Sequence, residues 1–551
     1  MVTTTWTGGA GDWNTASNWT NGVPTAADDA VFPSDHAGPV SGDGPAASLT
    51  VEKEQATPGV LGGRGTTVLY SLTGTHALAT LDVTAGAVLS LGQEVPATLS
   101  FGSALVSGTI TLQHGSRLGS GTITLANGSI DLSSSIDAVP ITLSNPIVLA
   151  GAAGQTGSDT IRGEGAAQVQ DATVATVSGV ISGSGMLTLF GPTAGNGRLV
   201  LANGANSYSG GTEVGGTVEV TAPGSLGSGP VLLAQGTLTL DQGVTAGPVS
   251  GIGQLATVDA SLTVFADDGL LFINGSGSST YVGTTSYSHV YDPYPPMPDQ
   301  AGFSEVFGGT GHVTVFAGNG GGTFYGCTGG RNVIVAGADL TGYTEFPGPP
   351  LERFPGLRHF MDAQGTIYTP AASTIGGGGD GDLLVATGTL NNLVAAAGGN
   401  ETLTGSGARG NNTFFGGTGS DLIVTGAGQD LVVAGSGAAT IAGGAGNAAI
   451  FAGSGQDLIV GGTGGGYIQA GSGSAIVFTG QGADLIAVVS GQAGGSVTVS
   501  GFRVGTDFLA ARGYASGPTQ TVVGGNTVLS FSDHTQVTLL GVASLPASAF
   551  S

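Results

Sequence analysis

The sequence predicts an all-β chain: a right-handed parallel β-solenoid (β-helix), then a more tightly wound β-roll and a short C-terminal β segment. Three observations carry this. From about residue 40 to 260, short apolar stretches alternate with Gly, Asn and Ser turns. From 416 to 487, a nine-residue unit runs eight times without a gap. Gly accounts for 106 of 551 residues while charged residues are only 9 %. That composition is too apolar for a disordered chain, and it lacks the triplet period of collagen.

In the first stretch, Gly108-Thr109-Ile110-Thr111-Leu112 recurs as Gly121-Thr122-Ile123-Thr124-Leu125, and Gly128-Ser129-Ile130-Asp131-Leu132 follows. Period-two alternation over about five residues, bounded by turn formers, reads as strands. Coils of such strands stack ~4.8 Å apart and bury their apolar residues against neighbouring coils. The organisation read from the chain is a β-helix over 1–260, irregular coils over 261–375, the regular roll over 376–490 and a strand-rich segment over 491–551. The irregular region carries two aromatic and proline-rich insertions, Tyr287 to Phe303 and Thr341 to Pro370. Either they cover the solenoid flank or they form a contact surface for a sugar or protein.

The nine-residue units begin Gly416-Gly417-Thr418-Gly419-Ser420-Asp421-Leu422-Ile423-Val424. Gly holds positions 2 and 4 in every unit, and position 8 is always Ile or Val. Six residues make a turn and three make a strand, so two units close one coil and position 8 forms an inward ladder. The glycines are expected to supply positive φ and to let backbone carbonyls converge.

These units resemble the RTX repeat, G-G-x-G-x-D-x-U-x, a parallel β-roll of proteins exported by type I secretion. The resemblance implies calcium (Ca2+) bound between turns by position-6 carboxylates of units n and n+2, with carbonyl oxygens completing the shell. In this chain position 6 is Asp421, Asp430, Ala439, Ala448, Asp457, Gly466, Ala475 and Asp484. No two of those acids lie two units apart. Read backwards through irregular units, position 6 becomes Asn412, Glu401, Asn391 and Asp382. Oxygen donors then pair as Glu401 with Asp421, Asn412 with Asp430, and Asp382 with Glu401. The expected calcium sites therefore lie between 380 and 430, and beyond 440 the Ile/Val ladder is expected to hold the roll.

Two further resemblances flank this block. Gly501-Phe502-Arg503-Val504-Gly505-Thr506-Asp507 and the strands after it look like the segment carrying an uncleaved type I secretion signal. The N-terminus has neither a basic nor an apolar leader region, so this resemblance supplies the expected export route and an extracellular or cell-surface location. It also gives calcium a role: the chain stays unfolded where calcium is scarce and folds outside. Trp6-Thr7-Gly8-Gly9-Ala10-Gly11-Asp12-Trp13, Asn18-Trp19 and Asn206-Ser207-Tyr208-Ser209-Gly210-Gly211-Thr212 are similar to autotransporter passenger β-helices. The tryptophans are expected to cap the open first coil.

The formal charge is −25, with Lys53 the only lysine, which disfavours nucleic acid and anionic membranes as partners and favours divalent cations. No apolar run is long enough to insert in a membrane. The single cysteine, Cys327, permits no internal disulfide. The seven histidines, His36, His76, His114, His289, His312, His359 and His534, form no metal or catalytic spacing. The adjacent acids Asp28-Asp29 and Asp267-Asp268 have no basic residue close in sequence. The chain is expected not to be an enzyme. Its expected role is structural or adhesive, with self-association into fibres or arrays. A glycan-binding adhesin using the aromatic insertions, contacts with other matrix proteins and, further off, a polysaccharide-modifying enzyme are the alternatives. An ice-binding face built on Thr109/Thr111 and Thr122/Thr124 ranks below these.

Overall fold

A computed structural model describes residues 2–33, 38–52, 69–92, 95–113, 115–134, 140–150, 159–165, 174–193, 197–283, 304–317, 322–337, 344–345, 360–361, 367–368, 372–492 and 494–550. Their regular structure is β, with two short 3-10 turns at Ala16–Asn18 and Ala547–Ala549 and no α-helix. Among the described residues no helix is long and apolar enough to cross a membrane. Contacts divide the chain into two units, residues 1–262 and 263–551.

In the first unit the chain climbs alternately through two parallel sheets. One contains Thr3–Thr5, Asp29–Phe32, Gly44–Val51, Gly74–Val83 and Ala97–Val106; the other contains Gly11–Asp12, Gly38–Ser41, Leu69–Leu72, Val88–Leu91 and Thr109–Leu112. Alternation in sequence becomes a ladder in space. Leu89, Ile110, Ile130, Ile161, Leu189 and Val214 are successive register partners. Each is fully buried, and burial of each such side chain favours folding by about 1.5–3 kcal/mol.

The two Thr-Ile-Thr-Leu strands do not stack on each other. Thr109 lies over Ser129, whereas Thr122 lies over Ser103 in the other sheet. The repeat marks two sides of the solenoid, so these threonines form no continuous ladder of the kind an ice-binding face needs.

The three tryptophans meet at the first coil. Trp6 and Trp13 are fully buried and Trp19 nearly so. Trp19 packs edge-on against Trp6 at 5.1 Å and Trp13 at 4.9 Å, and its indole N–H donates to the Trp13 carbonyl. All three rings lie against Phe32, which stacks on Tyr70. The cluster thus covers the core at the coil whose edge strand, Thr3–Thr5, has a single strand partner.

In the second unit each roll strand pairs in parallel with the strand two units on, as the nine-residue spacing predicts. Ile423, Ile441, Ile459 and Val477 stack in one ladder, and Phe414, Val432, Ile450, Ile468 and Ile486 in the other. All are 0–2 % exposed. The glycines work differently from expectation. Among those at positions 2 and 4 of the eight regular units, only Gly435 has positive φ. All the others but Gly482, which meets the Gly465 amide nitrogen instead, are needed because a carbonyl of the coil beneath points at the Cα: a Cβ on Gly419 would lie 1.5 Å from the Gly399 oxygen, and one on Gly453 would lie 1.7 Å from the Gly435 oxygen. Close approach of stacked turns, not left-handed backbone, excludes side chains there.

The strands Thr519–Val523, Asn526–Ser530 and Gln536–Leu539 form an antiparallel meander whose last member pairs in parallel with Ser496–Ser500. The insertion from Tyr287 to Phe303 lies outside the described residues. Of the one from Thr341 to Pro370, only the small antiparallel sheet Thr344–Glu345, Phe360–Met361, Ile367–Tyr368 is described.

Candidate metal centre

Position 6 stands just before each roll strand or within its first two residues. There Asp382, Glu401, Asn412, Asp421, Asp430, Asp457 and Asp484 are all buried, at 1–4 % exposure. The acids and amides make a repeated pair of bonds. One oxygen accepts the main-chain N–H of position 6 in the preceding coil: Glu401 donates to Asp421 at 3.0 Å, Asn412 to Asp430 at 2.7 Å, and Ala439 to Asp457 at 3.0 Å. The other accepts the position-2 N–H of its own turn: Gly417 to Asp421, Gly426 to Asp430, Gly453 to Asp457 and Gly480 to Asp484, all 2.7–2.9 Å. Asp421, Asp430 and Asp457 therefore each lock their own turn and tie two coils together, whereas Glu401 and Asp484 each keep one buried oxygen without a partner. Charge-assisted bonds of this kind contribute about 1.5–3 kcal/mol each.

The acids are not evenly spread. Asp382, Glu401 and Asp421 follow one another along one side, because Leu383, Thr402 and Leu422 are successive register partners. A Cβ placed on Gly377 would lie 3.4 Å from both Asp382 Oδ2 and Glu401 Oε1, so these two carboxylates converge on one point. Glu401 Oε2 is buried with no hydrogen-bond partner. Burial first, and the neighbouring Asp421 second, push the Glu401 carboxyl up to about 7. Asp457, by contrast, stacks between Ala439 and Ala475 and has no acid in either adjacent coil. Its carboxyl is pushed up by burial alone and eased by the Ala439 and Gly453 N–H groups.

The three donor pairs read from the sequence are thus adjacent in space, Asn412 also donating its amide N–H to Asp430. Asn391 is a correction. The buried position-6 residue of that coil is Asn392, whose side-chain oxygen accepts from the Ser373 N–H and which donates to Asn412. Asn391 sits one place earlier, exposed, in an outer ladder where it accepts from the Asn411 N–H. The strand register, not a nine-residue count, decides which residue turns inward. Two ladder members were missed altogether: Asn332, which donates to Asp382, and Asp507, which accepts from the Asp484 N–H. Asn332 was readable as the polar residue just before Val333-Ile334-Val335.

Among the described residues no three His, Cys, Asp or Glu side chains gather to hold a metal by themselves. A cation here must draw on turn carbonyls as well, and calcium, which takes six to eight oxygen ligands, suits such a shell. The donors fit: they are oxygens throughout, two carboxylates converge, and Glu401 Oε2 lacks a partner. Asp382 with Glu401, and Glu401 with Asp421, would each contribute carboxylate oxygens to such a shell. Calcium would neutralise the buried charge and cross-link adjacent coils.

The family model for the RTX calcium-binding nonapeptide repeat matches residues 396–432, 406–441 and 433–468. Residues 396–468 of the chain are RTX repeats. The matched span covers the turns of Glu401, Asn412, Asp421, Asp430 and Asp457, and the RTX repeat's known ligand is calcium. No curated protein matches the chain.

Proposed function

We propose that this RTX protein is a secreted, calcium-dependent structural or adhesive component of the bacterial cell surface or extracellular matrix. It leaves the cell by type I secretion, folds where calcium is plentiful, and associates with copies of itself. The reading assigns it no catalysis.

The observation that carries it is the buried acidic column Asp382, Glu401, Asp421 with its unpartnered Glu401 oxygen. A buried carboxylate without a compensating charge opposes folding; a divalent cation makes it a cross-link. Self-association has separate support. Leu422, Val460, Ile476 and Phe478 are exposed on the outer side of one roll sheet, and no charged residue stands among their outward-facing register neighbours Thr402, Thr404, Val424, Thr440, Ala442 and Leu458. Exposed apolar surface of this kind marks interaction sites.

Electron microscopy of the purified protein in millimolar calcium and in chelator tests the reading. Sheets or fibres that form with calcium and disperse in chelator are expected. Separate rods in both would rule out assembly and leave a monomeric adhesin.

A further inference from the structure

Beyond the regular repeats, Phe502-Arg503-Val504-Gly505-Thr506-Asp507-Phe508-Leu509-Ala510 continues the roll. The strand Phe508–Arg512 pairs in parallel with Asp484–Val489, with Leu485 opposite Phe508. Asp507, fully buried, makes both bonds of a position-6 acid. Its Oδ1 accepts from the Asp484 N–H at 3.1 Å and its Oδ2 from the Arg503 N–H, four residues back, at 2.8 Å. Leu509 lies in the buried ladder over Ile486. This is a nine-residue unit displaced by residues 488–501, with Gly505 at position 4, Asp507 at position 6, and Arg503 where every regular unit has glycine.

The arginine side chain occupies the turn. Its guanidinium donates to Asp507 Oδ2 at 3.2 Å and Oδ1 at 2.9 Å, to the Gln481 carbonyl at 2.7 Å, and to the Gly482 carbonyl. These acceptors are turn carbonyls at positions 3 and 4 of one unit and the position-6 carboxylate of the coil above. That is the oxygen type and placement on which a bridging calcium would draw. A guanidinium carries a fixed positive charge and five donors in a planar fork, suited to carboxylate and carbonyl oxygens together.

We infer that Arg503 is a built-in cation in the last coil, holding the Asp484 and Asp507 turns together without calcium. The inference rests on the calcium reading above only for its contrast with the rest of the roll. Ionic bridging between coils is supplied from solution around Asp382, Glu401 and Asp421, and by the chain itself at 481–507. The C-terminal coil is then a calcium-independent platform on which the calcium-loaded coils stack.

Hydrogen exchange of the full chain, followed by mass spectrometry in millimolar calcium and in chelator, tests this. In chelator, amides of 503–512 should stay protected while those of 401–430 exchange at least about tenfold faster than with calcium. Arg503→Gly restores the repeat's own residue and vacates the site. It should remove protection of 503–512 in chelator, by about tenfold or more, and return it with calcium. Arg503→Lys, which keeps the charge without the fork, should retain part of the protection. If 503–512 in the unaltered protein loses protection with 401–430 in chelator, or Arg503→Gly leaves its exchange in chelator unchanged, the inference is overturned. A roll indifferent to calcium at 401–430 would instead overturn the reading above, while the Arg503→Gly comparison still decides this one.

Discussion

Glu401 shows how one side chain couples the roll to its surroundings. Its carboxyl is raised from an ordinary 4.5 to about 7, first by burial and then by Asp421. A group raised on folding contributes stability while protonated; that contribution is complete below about 4.5 and is lost as pH rises through about 7. Calcium acts in the opposite sense, because it needs the ionised carboxylate. The thermal midpoint of calcium-free protein should therefore fall between about pH 5 and pH 8, and Glu401→Gln should flatten that slope. The stabilisation that added calcium produces should grow over the same interval in the unaltered protein. An identical slope in Glu401→Gln would show that the buried oxygen carries no such linkage.

At the scale of the coil, stacking sets what the turns tolerate. Gly419→Ala drives a methyl into the Gly399 carbonyl, whereas a Cβ on Gly407 meets nothing within 4 Å. We expect Gly419→Ala to cost about 2–3 kcal/mol or more, as overpacked sites do, and Gly407→Ala to stay within about 1 kcal/mol of neutral. Urea midpoints of the two variants in saturating calcium would show it. The same stacking explains what was legible in the sequence. Regular nine-residue spacing from 416 to 487 leaves one way to bury position 8, so the pairing of units n and n+2 and the Ile/Val ladders could be read directly. Before 416 the coils are longer: Leu383 pairs with Thr402 and Thr402 with Leu422, nineteen and twenty residues apart. Extra residues are absorbed in the turns, so a reading through irregular units falls one place early at Asn391. Likewise Arg503 at position 2 and the intervening residues 488–501 concealed the last unit. The glycines were assigned the right places but in part the wrong cause, since a pattern of Gly does not distinguish positive φ from close approach.

Among the described residues, buried acids stack into a column in one unit only, the first unit burying Asp159 alone. Residues 1–262 are held by stacked Leu, Ile and Val and by the cluster of Trp6, Trp13 and Trp19, whereas the buried carboxylate column belongs to the RTX roll. Calcium should therefore be bound by few, identifiable coils rather than by every repeat, because Ala439, Ala448, Gly466 and Ala475 offer no carboxylate at position 6. The most direct test is equilibrium dialysis of the full chain against calcium, with bound ions counted per chain. Binding by few coils requires that the unaltered protein binds calcium and that Glu401→Gln and Asp421→Ala each bind at least one ion fewer, while Asp457→Ala, whose neighbours are alanines, binds the same number. No binding by the unaltered protein, or the full number retained by both Glu401→Gln and Asp421→Ala, would contradict it.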